Sequence, residues 1–305
     1  MTPRPSLADT AGARPVVLDG GLATLLEQHG HDLSSALWSA RLLADDPEAI
    51  VAAHAEFFRA GAEVATTASY QVSAEGFAAV GTSAAEVEQL LRRSVALAAR
   101  ARDEVAPQGW VAASVGPYGA MLADGSEYRG DYDVDVAALR RFHRPRLDVL
   151  GGCVGEGADL LAVETVPCLA EVEAVLAELD GTGVPAWLSL SAAPGGRTRR
   201  GEPLTEAVAM AADVAEIVAV GVNCTPPEDV AAALAAVGTG PAVVYPNGGQ
   251  TWDAVARAWE GESAFTAEAV DGWIAQGARR VGGCCRVGPA EVTALAAQVR
   301  RGSGA

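Results

Sequence analysis

Short runs of Val, Leu and Ala alternate eight times along the chain with longer alanine-rich stretches whose apolar residues recur at helical spacing. The runs are "PVVLD" 15–19, "AEVATTA" 62–68, "WVAASVG" 110–116, "DLLAVET" 159–165, "PAWLSLS" 185–191, "IVAVGVN" 217–223, "PAVVYPN" 241–247 and "ARRVGGC" 278–284. Helical spacing fills 47–60, 84–104, 135–150, 169–179, 204–215, 227–237 and 266–276, and "GPAEVTALAAQV" closes the chain with Pro289 where a first helical turn accepts proline. Eight strand and helix alternations in 305 residues predict an α/β fold, a single (β/α)8 TIM barrel over 15–300. Residues 1–14 and 301–305 are expected as tails, and a doubly wound open sheet is the alternative architecture. The segment "GPYGAMLADGSEYRGDYDV" 116–134 is rich in Gly, Tyr and Asp, so it is expected as a long loop able to act as a lid over one barrel end.

With 50 % hydrophobic residues the chain can bury a barrel-sized core. The first fourteen residues lack the apolar stretch of an export leader, and no later segment runs long enough without charge, proline or glycine clusters to span a bilayer. A soluble, cytoplasmic protein that does not associate with membranes is expected. The net charge is −17, and basic residues form no stripe, which argues against nucleic acid as a partner. All 22 basic residues are arginine, so Schiff-base and lysine-anchored pyridoxal chemistry is excluded. Five cysteines are too few for a disulfide scaffold of this size and are expected as thiols.

Barrel active sites form where strands end. Those ends carry Asp19, Thr66 with Thr67, Ser114, Glu164, Ser189, Asn223 with Cys224, Tyr245 with Asn247, and Cys284 with Cys285. Three of the five cysteines therefore converge if the sheet closes. A disulfide between neighbours 284 and 285 is disfavoured, because consecutive Cα atoms are only about 3.8 Å apart. Glycines 282 and 283 let the chain turn so that both sulfurs face one point. Three thiolates would make a soft tetrahedral site with one open position, as in catalytic zinc centres, where a substrate thiol would lose its proton. Two small core residues, or a redox-active vicinal pair, are the other readings. Asp19 and Glu164 end apolar strands, where buried carboxylates need partners. They either cap neighbouring loops or grip the ammonium group of an amino acid. Cys153 and Cys168 read as packing residues, His54 and His143 as packing or hydrogen-bonding residues, no histidine stands at a strand end, and no Gly-rich phosphate loop is present.

The stretches "DGGLATLLE", "SALWSARLL", "FRAGAEVATTASYQ", "SVGPYGAMLADGSEYRGDY", "FHRPR", "GADLLAVET", "GVNC", "VVYPNGG" and "GGCCR" resemble the homocysteine S-methyltransferases, most of all those that use S-methylmethionine. The resemblance runs in order from about residue 15 to 298. It implies a barrel with one zinc held by Cys224, Cys284 and Cys285, moving a methyl group from a sulfonium donor to L-homocysteine to give methionine. It further implies that Asp19 and Glu164 contact the homocysteine amino group. Thr66 and Ser69 are then expected near its carboxylate, Tyr70 near the donor, and Asn223 among the substrate-binding residues. Relatives that use betaine carry tyrosine directly after the strand-four glutamate, where this chain has Thr165. The resemblance therefore points to S-methylmethionine, with S-adenosylmethionine as the other sulfonium donor. Rival readings are a thiol oxidoreductase and a zinc-stabilised sensor of homocysteine or methionine.

Overall fold

The computed structural model describes residues 4–12, 14–33, 38–78, 81–238, 240–253 and 258–302. Its main strands are β1 (Val16–Val17), β2 (Val64–Thr66), β3 (Trp110–Val115), β4 (Leu160–Val166), β5 (Ala186–Leu190), β6 (Ile217–Asn223), β7 (Ala242–Tyr245) and β8 (Ala278–Val281). They form one sheet of eight parallel strands in the order β1-β8-β7-β6-β5-β4-β3-β2. A parallel bridge between Leu18 and Val64 joins the two ends, with Glu63 N–H donating to Val17 O at 2.7 Å and Asp19 N–H to Val64 O at 3.1 Å. The sheet closes on itself, so the fold is a TIM barrel rather than an open doubly wound sheet.

The outer ring holds α1 (Pro47–Ala60), α2 (Ala84–Val105), α3 (Val136–Gly151), α4 (Leu169–Leu179), α5 (Leu204–Ala212), α6 (Pro227–Val237), α7 (Ala269–Ala275) and α8 (Pro289–Gly302). Local chemistry sets their ends. The Asp46 side chain accepts from Ala49 N–H at 3.2 Å ahead of Pro47, and Gly61 closes α1 at a φ of 106°. Ser83 and Glu86 form a reciprocal capping box at α2, and Asp135 takes Ala138 N–H at 2.7 Å at α3.

Side-chain parity along the strands divides the core in two. Val111, Ala113, Leu161 and Val163 face the helices, while Trp110, Ala112, Leu160, Ala162, Trp187, Ala219 and Val243 fill the barrel interior. Two residues further along each strand, that inward parity reaches Ser114, Glu164, Ser189, Gly221 and Tyr245. Gly221 is needed for strand contact, since a Cβ there would lie 1.8 Å from Val243 O.

The N-terminal segment does not hang free. Leu7 is fully buried in the interior cluster, the Trp110 indole N–H donates to Pro5 O at 3.0 Å, and Arg280 donates to Leu7 O at 2.9 Å. Residues 4–12 thus plug the end of the barrel opposite the strand termini that carry the polar groups. At the other end of the chain, helix α8 extends through Arg301 and Gly302, into the expected tail; residues 1–3, 13 and 303–305 lie outside the described residues.

The 116–134 segment is not a plain loop. It contains a helix over Tyr118–Leu122 and a 3-10 turn over Ser126–Tyr128. Glu171 accepts from Tyr118 N–H at 2.5 Å and pairs with His143 at 2.8 Å, while Gln71 donates to Ala120 O at 3.0 Å. The segment is a cover docked against the strand ends. Among the described residues no helix is long and apolar enough to cross a membrane.

Candidate metal centre and active site

The sulfurs of Cys224, Cys284 and Cys285 all lie within 4.8 Å of one another. The Cys284 and Cys285 sulfurs are 3.9 Å apart, and those of Cys224 and Cys284 are in bonding contact, with Cα atoms separated by 5.7 Å. The pair in contact is thus the one from two distant strands, not the vicinal pair. Each cysteine is fixed through its backbone. Cys224 follows the last residue of β6 at a φ of 45°, donates to Tyr245 O at 3.2 Å, and offers its carbonyl to the Arg199 guanidinium at 3.0 Å. Cys284 N–H donates to Pro246 O at 2.8 Å, and Cys285 O accepts Gly248 N–H at 2.8 Å. Glycines 282 and 283 serve close approach rather than a left-handed turn. A Cβ at Gly283 would lie 2.1 Å from a Val287 methyl, and one at Gly282 would lie 2.5 Å from Leu18 Cβ. Burial pushes the Cys285 thiol up to about 11, and its sulfur is hydrogen-bonded to the Tyr128 hydroxyl of the cover.

Three soft donors around one point fit a thiophilic cation. A tetrahedral zinc with sulfur at about 2.3 Å sets its ligands about 3.8 Å apart, close to the spacing of Cys284 and Cys285. Among the described residues no fourth His, Cys, Asp or Glu joins the cluster.

Two carboxylates stand on the same rim, at the ends of β1 and β4. Asp19 is 3 % exposed and accepts from Thr66 N–H at 2.7 Å and the Thr66 hydroxyl at 3.0 Å. Glu164 accepts from the hydroxyls of Ser114 and Tyr245, and Tyr245 in turn accepts the Trp187 indole N–H at 3.1 Å. Burial raises Asp19 to about 8, with the Glu164 charge adding to the rise, and raises Glu164 to about 7. No basic side chain makes a salt bridge to either among the described residues, so both anions lack a cation.

The remaining residues singled out from sequence separate into two groups. The Ser69 hydroxyl is spent on Ser114 O at 2.7 Å and on Thr67 at 2.7 Å, but the backbone N–H groups of Ala68 and Ser69 meet no acceptor among the described residues. The Tyr70 ring packs on Gly116, and its hydroxyl bonds Thr165. Asn223 is 1 % exposed and is consumed inside the barrel. Its Oδ1 accepts from Thr165 N–H and the Ser189 hydroxyl, both at 2.8 Å, and its amide donates to the Thr165 hydroxyl at 2.7 Å. Together these bonds form a clamp that holds Thr165 at its left-handed φ of 61°. Ser114, Tyr245, Tyr128 and Glu127 line the same region without having been assigned roles from sequence. The inward parity of β3 and β7 is the signal that reaches the first two.

The chain matches the family model described as homocysteine S-methyltransferase over residues 16–299. It is 45 % identical over 298 residues to a homocysteine S-methyltransferase of Escherichia coli (strain K12), covering 93 % of this chain and 94 % of that one. A homocysteine S-methyltransferase of Bacillus subtilis (strain 168) is 41 % identical over 300 residues, with 93 % of this chain and 94 % of the relative covered. The crystal structure of the metallated form of the Escherichia coli homocysteine methyltransferase superposes with a TM-score of 0.84 at 42 % identity, covering 94 % of this chain and 97 % of that one.

Removing the Asn223 clamp strands the Thr165 N–H and the Ser189 hydroxyl in the core. Asn223→Ala is expected to cost about 3 kcal/mol of unfolding free energy in a urea titration. A variant as stable as the parent would contradict the clamp.

Proposed function

The chain belongs to the homocysteine S-methyltransferase family, and on that premise we propose that it transfers a methyl group from a sulfonium donor to L-homocysteine at a zinc centre, giving methionine. The observation that carries the zinc reading is the convergence of the three sulfurs. A metallated form of a relative supports a metal in this family, without naming it. Cys224, Cys284 and Cys285 are the proposed ligands, leaving one tetrahedral position for the substrate. Zinc there would supply a Lewis acid that keeps the homocysteine sulfur ionised.

The chain's own residues do the orienting. Asp19 and Glu164 are proposed to receive the homocysteine ammonium, which supplies the cation that both lack. Thr66 fixes Asp19, and the free amides of Ala68 and Ser69 are proposed to receive the carboxylate. Tyr70 borders the donor side. An unperturbed thiol is only a few per cent ionised at neutral pH, so full ionisation gains about 2 kcal/mol. Fixing both reactants in line can contribute about 7–11 kcal/mol, so positioning is the larger effect. The departing sulfonium becomes a neutral thioether, and its departure needs no general acid. S-methylmethionine is the proposed donor, with S-adenosylmethionine second. Thr165, spent on Asn223 and Tyr70, stands where betaine-using relatives carry tyrosine.

Cys284→Ser is expected to lose both bound zinc and methionine formation from any sulfonium donor while keeping the barrel's circular dichroism. Normal zinc content with full activity would remove Cys284 from the centre. Supplying S-methylmethionine, S-adenosylmethionine and betaine separately, and quantifying methionine, ranks the donors; turnover with betaine alone would contradict the sulfonium reading.

The ammonium reading carries a pH dependence. Asp19 and Glu164 are raised to about 8 and about 7, so both are neutral well below that range and charged above it. An ammonium pairs only with the charged forms, so binding expels protons and strengthens as pH rises. The affinity for 2-aminobutyrate, which keeps the amino-acid head but lacks the thiol, should improve about tenfold or more from about pH 6 to about pH 8.5. Calorimetry showing a flat or falling profile would exclude the pair as the ammonium site.

A further inference from the structure

We propose that Glu127, on the 3-10 turn of the cover, is the counter-anion for the sulfonium of the methyl donor. The proposal rests on the methyl-transfer reading above and assigns its second cation. Glu127 is 5 % exposed, and its Oε2 is sealed from solvent with no hydrogen-bond partner. A buried carboxylate in that state is costly unless a cation meets it. Arg129, whose charge acts on Glu127, and Arg199, over the neighbouring Tyr128 ring at 6.0 Å, make their hydrogen bonds and ion pairs elsewhere. Arg129 turns to Asp131 at 3.1 Å and to Asp124 at 3.9 Å. Arg199 is held by the Ser191 hydroxyl at 2.9 Å and by Cys224 O at 3.0 Å. No ion pair to Glu127 forms among the described residues.

The turn that carries Glu127 lies beside the sulfur cluster: the Arg199 guanidinium that holds Cys224 O at 3.0 Å sits 6.0 Å over the ring of Tyr128, the next residue. Glu127 also acts through its charge on Tyr70, Tyr128 and Cys285. Its backbone is pinned there: a Cβ on Gly119 would lie 2.4 Å from Glu127 N, so the helix over Tyr118–Leu122 packs directly on the turn. Asp19 and Glu164 lie at the ends of β1 and β4 and serve the acceptor's ammonium. Glu127 enters from the cover and supplies a third anion, near two aromatic rings, a combination suited to an onium ion. The charge balance of the reaction gives it a second consequence. The methyl–sulfur bond of the donor breaks with its electron pair kept by the donor sulfur, and the homocysteine thiolate forms the new bond. A cation and an anion become two neutral thioethers. Glu127 therefore attracts the donor and not the demethylated product.

The test uses the zinc-loaded full chain and compares S-methylmethionine with 2-amino-5-methylhexanoate, its carbon isostere, which shares the amino-acid head and shape but carries no sulfonium charge. The wild type is expected to bind the sulfonium about 10-fold or more tighter than the isostere by calorimetry. Glu127→Gln should raise the KM for S-methylmethionine by that factor, leave the isostere's inhibition constant within about twofold, and leave the homocysteine KM unchanged. Equal wild-type affinities for the two ligands would overturn the proposal, and this arm needs no variant to fold. So would equal weakening of both ligands in Glu127→Gln, which would place the carboxylate on the shared ammonium, or an unchanged donor KM. If the wild type made no methionine from any sulfonium, the methyl-transfer reading would fail by itself, and the calorimetric comparison would still decide whether Glu127 meets a sulfonium.

Discussion

The sulfur centre depends on the register of neighbouring parallel strands in the barrel sheet. Cys224 and Cys284 are 60 residues apart, yet their strands β6 and β8 flank the same neighbour, β7, and end at one rim. The backbone bond from Cys224 to Tyr245 O and that from Cys284 to Pro246 O both use the end of β7 as a common post. The sulfurs are therefore set by strand register, not by a flexible loop. The backbone is in place for a cation, and binding one requires the bonded Cys224 and Cys284 sulfurs to part.

The second constraint is electrostatic. Asp19, Glu164 and Glu127 are all buried, all raised by burial, and none makes an ion pair with an arginine among the described residues. Hydroxyls from Thr66, Ser114 and Tyr245 orient two of them without neutralising them. A site built this way is stabilised by cationic ligands, and the proposed reaction brings two: an amino acid's ammonium and a sulfonium. The absence of lysine from the chain fits the same design, since no flexible internal cation is available to occupy the site first.

Strand positions were legible in sequence because β-branched and alanine runs are separated by capped helices. Helix α1 begins and ends where Asp46, Pro47 and Gly61 dictate, and α4 and α6 also fill the spans their spacing marks out. The cysteines were legible because thiols at strand ends have few uses. The bonds of Asn223 to Thr165 on β4 and Ser189 on β5 were not, since only strand register reveals that pairing. The plugging role of Leu7 was hidden for a similar reason: a single apolar residue in a polar segment gives no periodic signal. Glu127 sits in a stretch whose composition reads as solvent-exposed, and only the packing of the cover buries it.

The most direct measurement is zinc K-edge X-ray absorption on the zinc-loaded protein before and after homocysteine is added. The account predicts three sulfur neighbours at about 2.3 Å with one lighter ligand, becoming four sulfurs when the amino acid binds. Fewer than three sulfurs at the start, or a coordination shell that homocysteine leaves unchanged, would contradict it.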